Sequence, residues 1–417
     1  METYAEMAKQ PQDKKSSIFK NVSFLLVLLS ITFNSSGISI YLLAESWYVV
    51  NHLSAGNNLG IVLMATAIPR LILMPFTGIL ADRYKKTHIM FLSDILRGIL
   101  LIVMVFCFTS GILSFPIVVT FAMLFGILES FYWPASSSLI PTIVPESHLA
   151  QANSLSQIIQ QFFSLAGPLI GGIILSYGSY NHLFGCIAGI LVLGAFSSLF
   201  VSKYTHKAQH SSSEPLHFFK EWKEGIYFIK EDAFIKAIII LLIVVGFFLT
   251  GPMSMAIPLL ANSVLHGNAL TLSYMETSVT VGMIAGGILI AVSRIRKRRA
   301  LISLLSLALC GLSILFLGIS VHFLQFLLLL GIIGLIISFS NTFFVTLLQE
   351  RTPQDKIGRV LSLVTTATTG LVPLSQALIS ILLNRGLQIS HILISFGIIV
   401  FVFCVTMIFL FRPIRNA

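Results

Sequence analysis

Six charged residues lie inside long apolar stretches of the chain: Glu45, Arg70, Asp94, Arg97, Glu129 and Glu276. A charge held at mid-bilayer costs about 2.5–3.5 kcal/mol on insertion scales, so each of these must be paired, shielded or used. Asp94 and Arg97 stand three residues apart, a spacing that lets them pair across one helical turn. A carboxyl group in apolar surroundings favours its neutral form, which suits Glu45 to proton pick-up; a solvated position is the alternative. Glu276 is similar but closer to water. His182 and His322 flank connections, where a solvated imidazole is expected. The segments that mark other chemistries are missing: no Gly-x-Ser-x-Gly, no His-Glu-x-x-His and no Gly-x-x-x-x-Gly-Lys-Ser/Thr occurs. The chain is therefore expected to be no enzyme, to bind no nucleotide and to use no ATP by itself. Cys107, Cys186, Cys310 and Cys404 fall in apolar runs without ligand spacing, so neither disulfides nor metal are expected.

The elements that position these charges are membrane spans. Of 417 residues, 56% are hydrophobic and 10% charged, against about 25% charged in soluble domains. Apolar runs predict twelve spans, at 20–46, 57–81, 88–110, 114–136, 152–177, 181–202, 236–261, 271–293, 300–320, 323–348, 357–383 and 389–411. Each is long enough to cross the hydrocarbon, and a backbone in lipid satisfies itself at such lengths as helix. With alternating spans, 23 of the 26 Lys and Arg residues fall on the side of the N-terminus. Arg385 falls on the other side, and Arg70 and Arg97 lie within spans. That asymmetry predicts both termini in the cytoplasm of a multi-pass plasma-membrane protein, compatible with a bacterial one. It also assigns the net charge of +10 to anionic lipid rather than nucleic acid. The first 20 residues are polar and lead straight into a run too long for a signal peptide.

The chain reads as two six-helix halves. The expected division is a tail over 1–19, halves over 20–202 and 236–417, and a linker over 203–235. In that linker Leu216, Phe219, Trp222, Ile226 and Ile229 take helical spacing, predicting an amphipathic helix on the inner membrane surface. Pro145-Glu146-Ser147 and Pro353-Gln354-Asp355 each open a similar connection 208 residues apart, and the same offset carries Gly78 onto Gly286. Such internal symmetry places a substrate site between the halves near mid-membrane, with alternating access by rocking of the halves.

Gly78-Ile-Leu-Ala-Asp82-Arg83-Tyr-Lys85-Lys86 resembles motif A of the major facilitator superfamily, with Lys85 in place of its second glycine. Gly78 would let helix two approach a neighbour, while Asp82 and Arg83 would meet an opposing helix N-terminus and acidic groups. Gly167-Pro168-Leu169-Ile170-Gly171-Gly172 resembles the end of the antiporter motif C, though Phe163 and Ser154 replace its upstream glycines. Tyr132-Trp133-Pro134-Ala135, Lys223-Glu224-Gly225, Gln349-Glu350-Arg351 and Gly358-Arg359-Val360 look like the drug:proton antiporter branch, nearest to macrolide efflux proteins.

The resemblance implies an all-α integral membrane protein whose two halves are related by a pseudo-two-fold axis. It implies export of small amphipathic or hydrophobic compounds by proton antiport, driven by the proton gradient without a cofactor. Siderophore and lysophospholipid transporters are the near alternatives; a membrane-embedded enzyme or receptor is the distant one. Membrane lipids and a small-molecule substrate are the expected partners, with a monomer as the working unit. In this fold spans two and four are neighbours, so Arg70 and Glu129, each about 20 Å deep at 1.5 Å per residue, are expected to form a buried pair. That pair reads equally as structural or as a protonation or substrate switch. Asp94 and Arg97 would support the motif A gate formed by Gly78, Asp82 and Arg83. Glu45 would lie on a cavity-lining span. Phe131, Tyr132 and Trp133 in span four, with Phe247 and Phe248 in span seven, could offer apolar contacts to an amphipathic ligand, with lipid-facing packing the favoured reading for most of them.

Overall fold

Apolar runs without strand periodicity fold here as expected for a chain in lipid, into helices. The computed structural model describes residues 18–201, 232–293, 298–353 and 357–410. The amphipathic segment of the linker lies outside the described residues, as does the side chain of Asp82. The helices are α1 (Val22–Trp47), α2 (Leu59–Arg83), α3 (Lys86–Thr109), α4 (Phe115–Ile143), α5 (Glu146–Tyr177) and α6 (Tyr180–Val201) in the first half. The second half holds α7 (Ala233–Val245), α8 (Gly251–Ser263), α9 (Ala269–Ser293), α10 (Arg299–Ile319), α11 (Phe323–Arg351), α12 (Ile357–Gly370), α13 (Val372–Asn384) and α14 (Ile389–Leu410). A π turn at Gly246–Thr250 joins α7 to α8 as one span, and α12 with α13 forms another. Among the described residues, twelve helices are long and apolar enough to cross a membrane.

Two predicted boundaries move. The fourth span was predicted to stop at 136 but continues to Ile143, and the fifth starts at Glu146 rather than 152. The serine run after Trp133 stays helical because Ser136, Ser137 and Ser138 each donate to the carbonyl three residues back. Pro134 removes the amide that would bond the Ser130 carbonyl. Thr77 of α2 supplies the missing donor, at 2.7 Å, so the helix survives its proline.

Close helix pairs repeat between halves. In the first, α2 packs on α4 and α3 on α4 and α6; in the second, α9 packs on α11 and α10 on α11 and α14. The halves meet through α5 against α9 and α2 against α13, which the pseudo-two-fold exchanges. Small residues make these approaches possible: a Cβ on Gly126 would stand 2.0 Å from the Thr66 carbonyl, and one on Gly334 2.0 Å from that of Val279.

Call the end of the bundle that carries Lys20, Arg83, Lys85, Lys86, Arg298 and Arg351 the basic end, and its opposite the far end. The halves touch at the far end. Asn51 donates to Asn262 at 3.2 Å, Asn384 donates to Asn58 at 2.9 Å, and Ser273 donates to the Pro168 carbonyl at 2.7 Å. Gly60 and Gly78 stand 18 residues, five turns, apart on one face of α2. At Gly60 a Cβ would be 2.4 Å from the Gln376 carbonyl of α13; at Gly78 it would meet nothing within 4 Å. The halves therefore diverge toward the basic end. The expectation that Gly78 packs closely on a neighbour is corrected: it faces open space. Gly286, its partner by the 208-residue offset, instead packs within its own half on Leu335 and Ser338 of α11.

The α2–α4 approach yields a test. Gly126→Ala forces a methyl into the Thr66 backbone, and overpacking of that kind costs about 1–3 kcal/mol. Thermal unfolding of the purified variant is expected to show a lowered midpoint, whereas Gly185→Ala, at a glycine with nothing within 4 Å, leaves it unchanged.

Candidate functional site

Neither Asp94 nor Arg97 is accessible at all, and they pair at 2.5 Å on α3. Asn34 of α1 donates to Asp94 Oδ1 at 2.8 Å. The Arg97 guanidinium lies 5.3 Å from the ring centre of Phe125 and 5.7 Å from that of Tyr132, both on α4. Asp94 Oδ2 and Arg97 Nη1 are buried with no hydrogen-bond partner. These partners are core residues of the first half, and none belongs to the motif A segment; the pair pins α1, α3 and α4 together. Arg83 is exposed at the basic end.

Phe125 carries the arrangement onward. Its other neighbour is Tyr41 of α1, stacked at 3.9 Å and 11°. The Tyr41 hydroxyl donates to Glu45 Oε1 at 2.7 Å, one turn up the same helix. Thr66 of α2 shares that oxygen at 3.4 Å, while Glu45 Oε2 is buried without a partner. Glu45 is 0% exposed. The solvated alternative for Glu45 is thereby removed, and so is direct lining of an open cavity in this conformation, because α2 and α4 close over it.

Arg70 donates to Glu129 at 2.8 Å, bridging α2 and α4. The expected burial of this pair is corrected: the Arg70 side chain is 44% exposed and that of Glu129 13%. Helix rotation of about 100° per residue locates the exposure. Thr66 and Thr77 mark the face of α2 that meets α4, and Gly60 the face that meets α13. Arg70 falls between these two faces, while the exposed Ile61, Ile72 and Phe76 mark the opposite, lipid side. Arg70 therefore looks into the cleft between the halves. Glu276 on α9 is half-buried and lies away from the exposed Tyr274, Val281 and Ile288, again toward the interior.

The remaining candidates sort by burial. Gly167 and Gly171 of α5 pack on Ser39, Ile40 and Leu43 of α1, and Gly172 on Ser273 of α9, so the Gly-Pro cluster fits α5 between its own half and the other. Pro168 offers its carbonyl to that same Ser273. Tyr132 is buried, its hydroxyl 2.9 Å from that of Ser30, rather than presented to a ligand. Trp133 is 46% exposed and Phe131 half-buried, whereas Phe248 packs on Phe396 of α14 at 5.1 Å. His182 and His322 are exposed; His182 bonds Ser179, and His322 caps α11 with Gln325. Sequence reasoning missed Tyr41 and Thr66. Tyr41 precedes Glu45 by four residues, the one signal that could have placed its hydroxyl beside the carboxyl. No group of three or more potential metal ligands occurs among the described residues.

Residues 27–375 match the Major Facilitator Superfamily, and the chain belongs to that family of membrane transporters. An MFS-type transporter of Bacillus subtilis (strain 168), YfiS, is 28% identical over 84% of this chain and 85% of its own length. Macrolide efflux protein A of Streptococcus pyogenes is 24% identical over 85% and 87% of the respective chains. The Staphyloferrin A transporter of Staphylococcus aureus (strain NCTC 8325 / PS 47) is 24% identical over 88% and 90%. Among solved structures, the POT family transporter PepTSo superposes with a TM-score of 0.75 at 12% identity, covering 95% of this chain and 98% of that one. A bacterial homologue of the human lysosomal transporter Spinster, inward-facing and unoccupied, gives 0.65 at 15% identity, covering 96% and 99%. These structures share the fold.

The buried pair makes a prediction. Asp94→Asn alone strands the Arg97 guanidinium in the core, at about 3–5 kcal/mol. Thermal unfolding is expected to show a large loss for that variant, and a smaller one for Asp94→Asn combined with Arg97→Gln, whose neutral amides can bond each other.

Proposed function

We propose that the chain is a secondary exporter that moves small amphipathic or hydrophobic compounds out of the cell in exchange for protons. The observation that carries this reading is the Arg70–Glu129 pair, a membrane-depth charge pair open to the cleft between the halves. Proton and substrate then compete for the Glu129 carboxylate: protonation releases it from Arg70, and an arriving ligand meets the deprotonated form. Glu45, inaccessible behind α2 and α4, is the second proton-handling carboxyl. The similarity to macrolide efflux protein A supports export, and so does the Gly-Pro cluster at the α5–α9 contact.

The excess of basic residues assigns the basic end to the cytoplasm, with the protein in the cell membrane and its termini inside. On that assignment the described conformation is open to the cytoplasm and closed outside by the Asn51–Asn262 and Asn58–Asn384 contacts. Gly78 faces open space here because the α13 half swings onto it only when the cytoplasmic side closes. No enzymatic step, nucleotide or cofactor enters this cycle.

A second reading follows from Arg70 itself. Its guanidinium is far more exposed than its carboxylate partner, so the cleft presents a positive charge. That favours an anionic substrate, as for a siderophore transporter such as the Staphyloferrin A relative.

Ethidium efflux from cells energised with a pH gradient tests the first reading. Wild type is expected to extrude the dye in a gradient-dependent way, and Glu129→Gln, present in the membrane at equal amount, to lose that dependence. Undiminished gradient-driven efflux by Glu129→Gln would remove Glu129 from the coupling role. Gradient-independent uptake of an anionic probe by wild type would favour the second reading.

Double cysteine substitution at Asn51 and Asn262 is expected to cross-link under oxidation and halt efflux, with recovery on reduction. Efflux that continues through the cross-link would exclude separation at that contact as a step of transport.

A further inference from the structure

Two carboxylates of the first half lie on either side of the Tyr41–Phe125 stack. Glu45 sits in the interior, and Glu129 sits one helical turn beyond Phe125 on α4, at the edge of the cleft. Tyr41 lies between them. Its ring stacks on Phe125 and its hydroxyl donates to Glu45. Three helices keep this register: Tyr41 and Glu45 are one turn apart on α1, Thr66 and Arg70 on α2, and Phe125 and Glu129 on α4.

We propose that Tyr41 is the positioning residue of proton coupling: it holds Glu45 in a fixed hydrogen bond across the Phe125 stack from the cleft carboxylate, so that the charge on Glu129 bears on the proton held by Glu45. The proposal rests on the reading of Glu45 and Glu129 as proton-handling groups.

The geometry gives Tyr41 this part rather than a purely packing one. A phenylalanine would keep the stack on Phe125 and fill the same space, yet a hydroxyl is present and is spent on Glu45 Oε1. The second oxygen, Oε2, is buried without a hydrogen-bond partner. The titratable or charged groups around the unit are few. Among the described residues they are Arg70 from α2, the Asp94–Arg97 pair of α3 behind Phe125, and Glu129 with Tyr132 from α4, while Thr66 of α2 adds a neutral hydroxyl. From α5 and α6, Gly171 and Leu191 pack on α1 here. Arg97 is committed to Asp94 and Arg70 to Glu129, so the Tyr41 hydroxyl is the strongest donor left to Glu45. Two carboxyls so placed exchange influence through charge: ionisation of one opposes ionisation of the other.

The test uses the full-length protein in liposomes and needs no substrate. Infrared difference titration follows the C=O stretch of protonated carboxyl groups against pH. The band component missing in Glu45→Gln belongs to Glu45. A carboxylate that loses a donor keeps its proton to higher pH, so Tyr41→Phe is expected to move that component's midpoint up by about one unit. Thr66→Val, which removes the longer bond, is expected to move it less. Glu129→Gln removes a like charge and frees Arg70, and both changes are expected to lower the midpoint. An unmoved midpoint in Tyr41→Phe, with unchanged thermal unfolding, would overturn the positioning role while leaving Glu45 as a proton carrier. An unmoved midpoint in Glu129→Gln would overturn the coupling. No component lost in Glu45→Gln would overturn the proton-handling reading of Glu45 itself, and the proposal with it.

Discussion

Charge placed where water cannot follow is the constraint on which the first half of this protein is built. Asp94, Arg97 and Glu45 are all inaccessible, yet only the first two neutralise each other directly. Holding them requires polar or aromatic neighbours from several helices at once. Asn34 and Tyr41 come from α1, Thr66 from α2, and Phe125 and Tyr132 from α4. An ion pair buried in this way is weak evidence for stability, because desolvation cancels much of the attraction. Its structural consequence is positional: three helices must keep one register, or a charge is left bare.

The second half has no equivalent column among its described residues. Its helices hold by close backbone approach, by uncharged hydrogen bonds and, at the basic end, by the Arg299–Glu350 pair between α10 and α11: Gly282 meets the Gly331 carbonyl, and Ser375 donates to the Phe247 carbonyl at 2.6 Å. In lipid, where apolar side chains gain nothing by leaving one apolar environment for another, small residues and short hydrogen bonds carry association. The two halves therefore share an arrangement of helices without sharing the interactions that fix them. The asymmetry places the inaccessible charges Glu45, Asp94 and Arg97 in the first half, whereas the second carries the half-buried Glu276 on α9.

The contacts between halves follow the same logic. At the far end they are amide pairs and a serine–carbonyl bond, none of them ionic. Each is individually modest, about 0.5–1.5 kcal/mol for a typical net hydrogen bond. The glycines Gly60 and Gly172 bring the backbones close enough for these bonds to form.

Much of this was legible in the sequence, because lipid imposes simple rules. Twelve spans follow from apolar length, and the doubled architecture from the mid-chain linker and the 208-residue offset between Pro145-Glu146 and Pro353-Gln354. The i, i+3 pairing of Asp94 with Arg97 follows from helix geometry alone. The extension of α4 through its serines and prolines did not, since their polar groups are satisfied by carbonyls that only the folded helix presents. The sequence could bring Arg70 and Glu129 to one depth, but not tell that the arginine stands open to the cleft. Nor could it tell that Glu45 is sealed behind Thr66, or that Gly60 is packed while Gly78 on the same face is not. Which residues may lie in a membrane is a matter of local transfer energy, and the chain carries that by itself. Which of them meet water depends on how far two halves of the molecule stand apart, and only the tertiary structure decides it.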